Sequence, residues 1–279
     1  MPGFNPENVN IHDLTVEEPE KQEVLPFDPE MDITERDWEE MRVCLDRARK
    51  QYSRGGILDP YEVAGNMKIL NADFEVNFSL EESEKIKKRL KGSLRLERIK
   101  AAVSLKILNT SFGIDFNSND WQASRESLKR SRSASEWSSF LLEAQREKIL
   151  NPAIDLELTP ENWQEIKNAI EIQRKKSLED EKVNIYDYQR FSRLGSAMRV
   201  IDPGGDLVVN QSDWETMKQK LDFYREQNNY HVLAELAADM KILAAEKVEV
   251  TDEGLEITMP EKKVNLGPAT SDTPEQRKF

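Results

Sequence analysis

Apolar residues recur along the chain in two linked series. Met67-Lys68-Ile69-Leu70 is echoed by Leu105-Lys106-Ile107-Leu108, Glu147-Lys148-Ile149-Leu150, Met198-Arg199-Val200-Ile201 and Met240-Lys241-Ile242-Leu243. Trp38, Trp121, Trp163 and Trp214 form the second series, with Ser83 in the equivalent slot of a further unit. From the last residue of a Lys-Ile-Leu element to the next Trp slot is 13 residues in all four cases, whereas from a Trp slot to the following Leu slot the counts are 32, 25, 29, 38 and 29. A fixed junction and a variable interior describe a rigid connector and a tolerant loop.

The junction has its own pattern. Met31 and Ile33, Val76 and Phe78, Ile114 and Phe116, Leu156 and Leu158, and Leu207 and Val209 alternate with polar residues, which predicts a short strand. Thr34, Ser79, Asn117, Thr159 or Asn210 follows as a helix N-cap, with Asp37, Glu82, Asp120, Asn162 or Asp213 three positions on, a capping-box pattern. The next helix keeps apolar positions on one face, as in Trp163, Ile166 and Ile170, and a second helix runs into each Lys-Ile-Leu element. After Leu243, Val248 to Ile257 reads as a hairpin with its turn at Thr251-Asp252-Glu253-Gly254.

These elements predict a mostly α protein with short β elements: an elongated, solenoid-like tandem array of about five strand-helix-helix units with a C-terminal β-hairpin cap. The units fall at about 25–70, 71–108, 109–150, 151–201 and 202–243, with the cap at 244–262. Residues 1–24 (acidic) and 263–279 are polar and predicted to be disordered tails.

Composition narrows the function classes. A net charge of -13 over 279 residues argues against non-specific binding to nucleic acid or anionic membrane by the chain as a whole. Mean hydropathy is -0.72, and no apolar run approaches the roughly 20 residues of a membrane span. Cys44 is the lone cysteine, so an intrachain disulfide and a cysteine-based zinc site are excluded. The first residues lack a basic segment followed by an apolar run, and the expected location is cytoplasmic.

Candidate chemistry is sparse. His12 and His231 have no nucleophile or second histidine arranged beside them, so no catalytic, cofactor or metal site is predicted and the chain reads as non-enzymatic. The Trp series would suit a binding ladder, but its apolar i+3 and i+7 partners favour core packing. The segment from Lys129 to Ser135 reads as an exposed, basic, phosphorylatable loop. Basic clusters near the ends of the first helices line up as a candidate ridge for an anionic partner: Lys87, Lys88 and Arg89, then Lys129 and Arg130, then Arg174, Lys175 and Lys176. The expected function is a protein–protein interaction scaffold or adaptor. The alternatives are a binder of nucleic acid or an acidic partner through that ridge, and an enzyme whose site is not readable from sequence.

Overall fold

In a computed structural model, the described residues are 31–52, 59–92, 95–108, 118–179, 185–205 and 207–260. The tails assigned to 1–24 and 263–279 lie outside them, as do the expected strand at Ile114 and Phe116 and the cap residue Asn117. The described residues form ten helices: α1 (Glu35–Tyr52), α2 (Pro60–Leu70), α3 (Leu80–Gly92), α4 (Arg95–Ile107), α5 (Ser118–Ser133), α6 (Trp137–Leu150), α7 (Pro160–Glu179), α8 (Ile185–Ile201), α9 (Gln211–Glu226) and α10 (Tyr230–Ala244). An antiparallel hairpin follows, β1 (Lys247–Thr251) and β2 (Gly254–Thr258), with Val250 paired to Leu255.

The even-numbered helices form an inner wall. Each packs on the next, α2 on α4, α4 on α6, α6 on α8 and α8 on α10, and α10 then packs on α2. The array therefore closes into a ring and is not elongated. The odd-numbered helices lie outside. Each packs on its own inner partner, and α7, α9 and α1 also reach the inner helix before them, which for α1 is α10. One apolar core runs from Met41 through Met67, Phe140, Ile170 and Met198 to Leu243, so the first and last helix pairs share it.

Among the described residues the expected connector strands do not form. Their side chains alternate between half-buried and exposed at 74–79, 154–159 and 207–210, but no other strand lies alongside to take their backbone groups. An arginine eleven positions after the Trp slot does so instead. Arg49 donates to the Asn77 carbonyl, Arg132 to those of Leu156 and Glu157, Arg174 to that of Val208, and Arg225 to that of Asp32. Asn77, Glu157, Val208 and Asp32 each lie six residues before their own Trp slot, so the clamp repeats position for position.

Three of these arginines also grip a capping box. Thr34 with Asp37, Ser79 with Glu82, Thr159 with Asn162 and Asn210 with Asp213 exchange reciprocal bonds between side chain and backbone. Arg49 then pairs with Glu82 at 2.8 Å, Arg174 with Asp213 at 3.2 Å and Arg225 with Asp37 at 3.0 Å. The last of these joins the fifth helix pair to the first.

The cation of each Lys-Ile-Leu element bonds a carbonyl at or just beyond a helix end. Lys68 and Lys148 bond carbonyls four residues on, at Ala72 and Pro152. Lys106 reaches the Leu150 carbonyl of the next pair, Arg199 reaches that of Ala245, and Lys241 closes the circle on Leu70.

The tryptophans pack as the core reading expects, though unequally. Trp214 is buried, whereas Trp38 and Trp163 are only partly covered against the core. The Lys129–Ser135 segment is a loop only in part: Lys129, Arg130, Ser133, Ala134 and Ser135 are exposed, but only Ala134 and Ser135 lie in a turn. Residues 129 to 133 complete α5, and Ser131 is buried.

Candidate functional site

Closure creates a lumen, and its residues are ordered by helical periodicity. The isoleucine slot of the Lys-Ile-Leu element, occupied by Ile69, Ile107, Ile149, Val200 and Ile242, turns inward from all five inner helices. There it meets Val248, Val250, Leu255 and Ile257 of the hairpin, which plugs that end. Gly254 at the hairpin turn has φ +143, and a Cβ there would stand 3.1 Å from the Lys106 carbonyl, so conformation and close approach both call for glycine.

Counting back three residues from the isoleucine slot gives a polar layer of Asn66, Ser104, Arg146 and Asp239, all lining a cavity of about 110 Å³. Counting back seven, two turns or about 10 Å higher, gives Glu62, Lys100, Leu142, Arg193 and Glu235 around the same cavity. The lumen thus passes from an apolar plug to a mouth carrying both signs of charge.

The mouth is only partly paired. Arg193 forms an ion pair with Glu235, which also accepts from Gln189 Nε2 at 2.9 Å. Asp239 is 9% exposed; its Oδ1 accepts from Ser196 Oγ at 2.5 Å, while its buried Oδ2 has no partner among the described residues. Burial pushes the Asp239 carboxyl up to about 6, against the pull of the Ser196 bond and of Arg193. Arg146 makes no hydrogen bond or ion pair among the described residues. Burial and the neighbouring Arg193 charge lower its basicity, partly offset by Glu62 and Glu143. His231 is lowered too, by burial, with Glu62 acting the other way.

The structure distributes the predicted ridge residues over three outer helices. Lys87, Lys88, Lys129, Arg130, Lys175 and Lys176 are exposed at the C-terminal parts of α3, α5 and α7. Arg174 is turned inward instead: its side chain is 13% exposed, bonded to Asp213 and stacked 5.0 Å from the Phe191 ring. The Arg89 side chain lies outside the described residues.

The lumen residues were absent from the sequence expectation, although a signal for them exists. Glu62, Lys100, Arg146, Arg193 and Glu235 share a helical face with the isoleucine slot, where a buried helix would carry apolar residues. Among the described residues no group of three His, Cys, Asp or Glu is placed to hold a metal ion, and no helix is long and apolar enough to cross a membrane. Comparison with family models, with curated proteins and with solved structures finds no match.

Proposed function

We propose that the chain is a non-enzymatic binding protein, an adaptor built from five copies of one helix pair closed into a ring, and that it recognises its partner at the polar mouth of the lumen. The observation that carries this reading is the unpaired charge held in a concave, built setting at Arg146 and Asp239. Retaining such groups costs stability, and they repay it by recognition. Closure also buries the inner helix faces that an open array would offer, leaving the mouth as the concave surface common to all five pairs. The single Cys44 suits a reducing, cytoplasmic setting.

The test is a capture experiment with three baits: the natural chain, the mouth charge swap Glu62→Lys with Lys100→Glu, and the outer variant Lys87→Glu with Lys88→Glu. The swap preserves net charge and spares the Arg193–Glu235 pair, and equal melting temperatures check that all three fold. Loss of a nuclease-resistant partner with the mouth swap alone is the expected result. Loss with the outer variant alone, together with nuclease sensitivity, moves the function to the basic surface and its anionic ligand.

A further inference from the structure

We infer that the lumen is a two-point site for a small zwitterion of amino-acid size, its carboxylate held by Arg146 and its ammonium by Asp239. This deepens the proposal above and rests on the mouth being the binding surface.

Three observations converge on it. First, Arg146 and Asp239 occupy the same layer, three residues before the isoleucine slot on α6 and α10, and both line the one cavity. Helix α8 stands between those helices and contributes only Ala197 and Ser196 at this level; its Arg193, one turn higher, acts on both groups through its charge while forming its ion pair with Glu235. The two opposite charges therefore face one cavity without meeting. Asp239 keeps a buried Oδ2 without a partner, and Arg146 has a planar fork of donors with nothing bonded to it among the described residues.

Second, the size of the cavity sets the ligand class. About 110 Å³ lies well below the several hundred Å³ of a drug- or cofactor-sized pocket, so nucleotides and extended cofactors do not fit, whereas a few waters or a ligand of a handful of heavy atoms do. Third, the charges are balanced. Lys100 and Arg193 in the upper layer are offset by Glu62 and Glu235, so the mouth attracts neither a lone anion nor a lone cation strongly. A molecule with both charges satisfies the buried Asp239 and the half-buried Arg146 at once.

The experiment is calorimetric titration of the full chain with the common amino acids one at a time, and with acetate, inorganic phosphate and methylammonium. The N-acetylated and amidated forms of any amino acid that binds are tested next. At least one amino acid binds, and its blocked forms and the single-charge probes bind about tenfold more weakly or worse, as expected when one charge-assisted contact is lost. Arg146→Gln and Asp239→Asn each weaken binding by the same order while melting at or above the natural temperature. Absence of binding by every amino acid overturns the inference, as does undiminished binding of a blocked form: of one form alone, it would assign the site to a peptide terminus, and of both, to a ligand read through neither charge. If no amino acid binds while the mouth charge swap still loses the captured partner, the inference alone fails. If the swap also keeps its partner, the mouth reading fails with it.

Discussion

The two ends of the lumen are built from the same five helices and obey opposite rules. At the plugged end, Ile69, Ile107, Ile149, Val200 and Ile242 meet the hairpin, so every inner helix contributes a β-branched apolar side chain. At the mouth, one and two turns away, the same faces carry Asn66, Arg146 and Asp239 and then Glu62, Lys100 and Arg193, with no two helices alike in both layers. The plug needs only equivalent volume from each helix, which uniform residues supply. The mouth is under no such demand for equal apolar volume, so its residues differ from helix to helix.

Exchanging the chemistry of the two ends breaks the comparison most sharply. Ile149→Asp sets an unpaired carboxylate against Val248 and Val200, and a loss of about 4–5 kcal/mol is expected by urea unfolding. A loss near 1 kcal/mol would show that water enters the plug and that the two ends differ less than the packing implies.

Next in size is the seam on which both ends depend. Arg225 bridges Asp37 and the Asp32 carbonyl from the fifth pair to the first, and Asp37 is 2% exposed. Burial opposes ionisation of Asp37, but its bonds to Arg225 and Thr34 prevail and hold the carboxyl below its ordinary range. Arg225→Ala leaves that buried carboxylate unpaired at a cost of about 3 kcal/mol, read as a lowered melting temperature. Hydrogen exchange should rise in α1 and α10 ahead of α5 and α6. Uniform exchange would mean that the seam is no weaker than the other joints.

Much of the ring was legible in the sequence, though its closure was not. The junction spacing, the capping boxes and the face of Ile166, Ile170, Met217 and Leu221 are local, set by residues a few positions apart, and they survive in the structure. Alternation in the connectors was also read correctly, but strand pairing needs a neighbour, and Arg49, Arg132, Arg174 and Arg225 occupy that role. Closure depends on a small rotation summed over five pairs and on Lys241 reaching Leu70, 171 positions away in the chain. Without closure, Glu62, Lys100 and Arg193 look like an ordinary solvated helix face. The outer lysines then stand out as the charged surface, and nothing local in the sequence separates Arg174, a structural clamp, from them.

Asp239 offers a smaller effect with a distinctive pH signature. Its carboxyl titrates near 3.8 when unfolded and at about 6 when folded, so between these values the folded chain holds the proton more tightly. Stability attributable to Asp239 therefore falls as pH rises through that window, levelling off above it. Between about pH 4.5 and about pH 7.5 the natural chain should lose about 2 kcal/mol that Asp239→Asn does not lose. Glu62, Lys100, Arg146, Arg193 and Glu235 surround the same cavity and remain in both proteins, so the difference between their pH profiles isolates Asp239. Identical profiles would show that Oδ2 is solvated, leaving the mouth without its buried acid.

The smallest expected effect is the most pointed, because it separates a binding group from a structural one. Arg146→Leu removes a guanidinium that burial and Arg193 disfavour and that Glu62 and Glu143 only partly support. Apolar replacement of a half-buried cation that makes no hydrogen bond or ion pair among the described residues is expected to leave stability unchanged or raise it by up to about 1 kcal/mol. The clamp arginines behave in the opposite way, since each holds a carbonyl of the following connector. Arg132→Leu strips two such bonds, from Leu156 and Glu157, and should cost about 1–2 kcal/mol. Unfolding of the two variants side by side thus asks whether Arg146 belongs with the clamps. A loss at Arg146 as large as at Arg132 would place it among the groups that hold the ring together and leave the mouth with no cation kept for a ligand. Unchanged stability, with amino-acid binding abolished, leaves recognition as the reason a charge sits there at all.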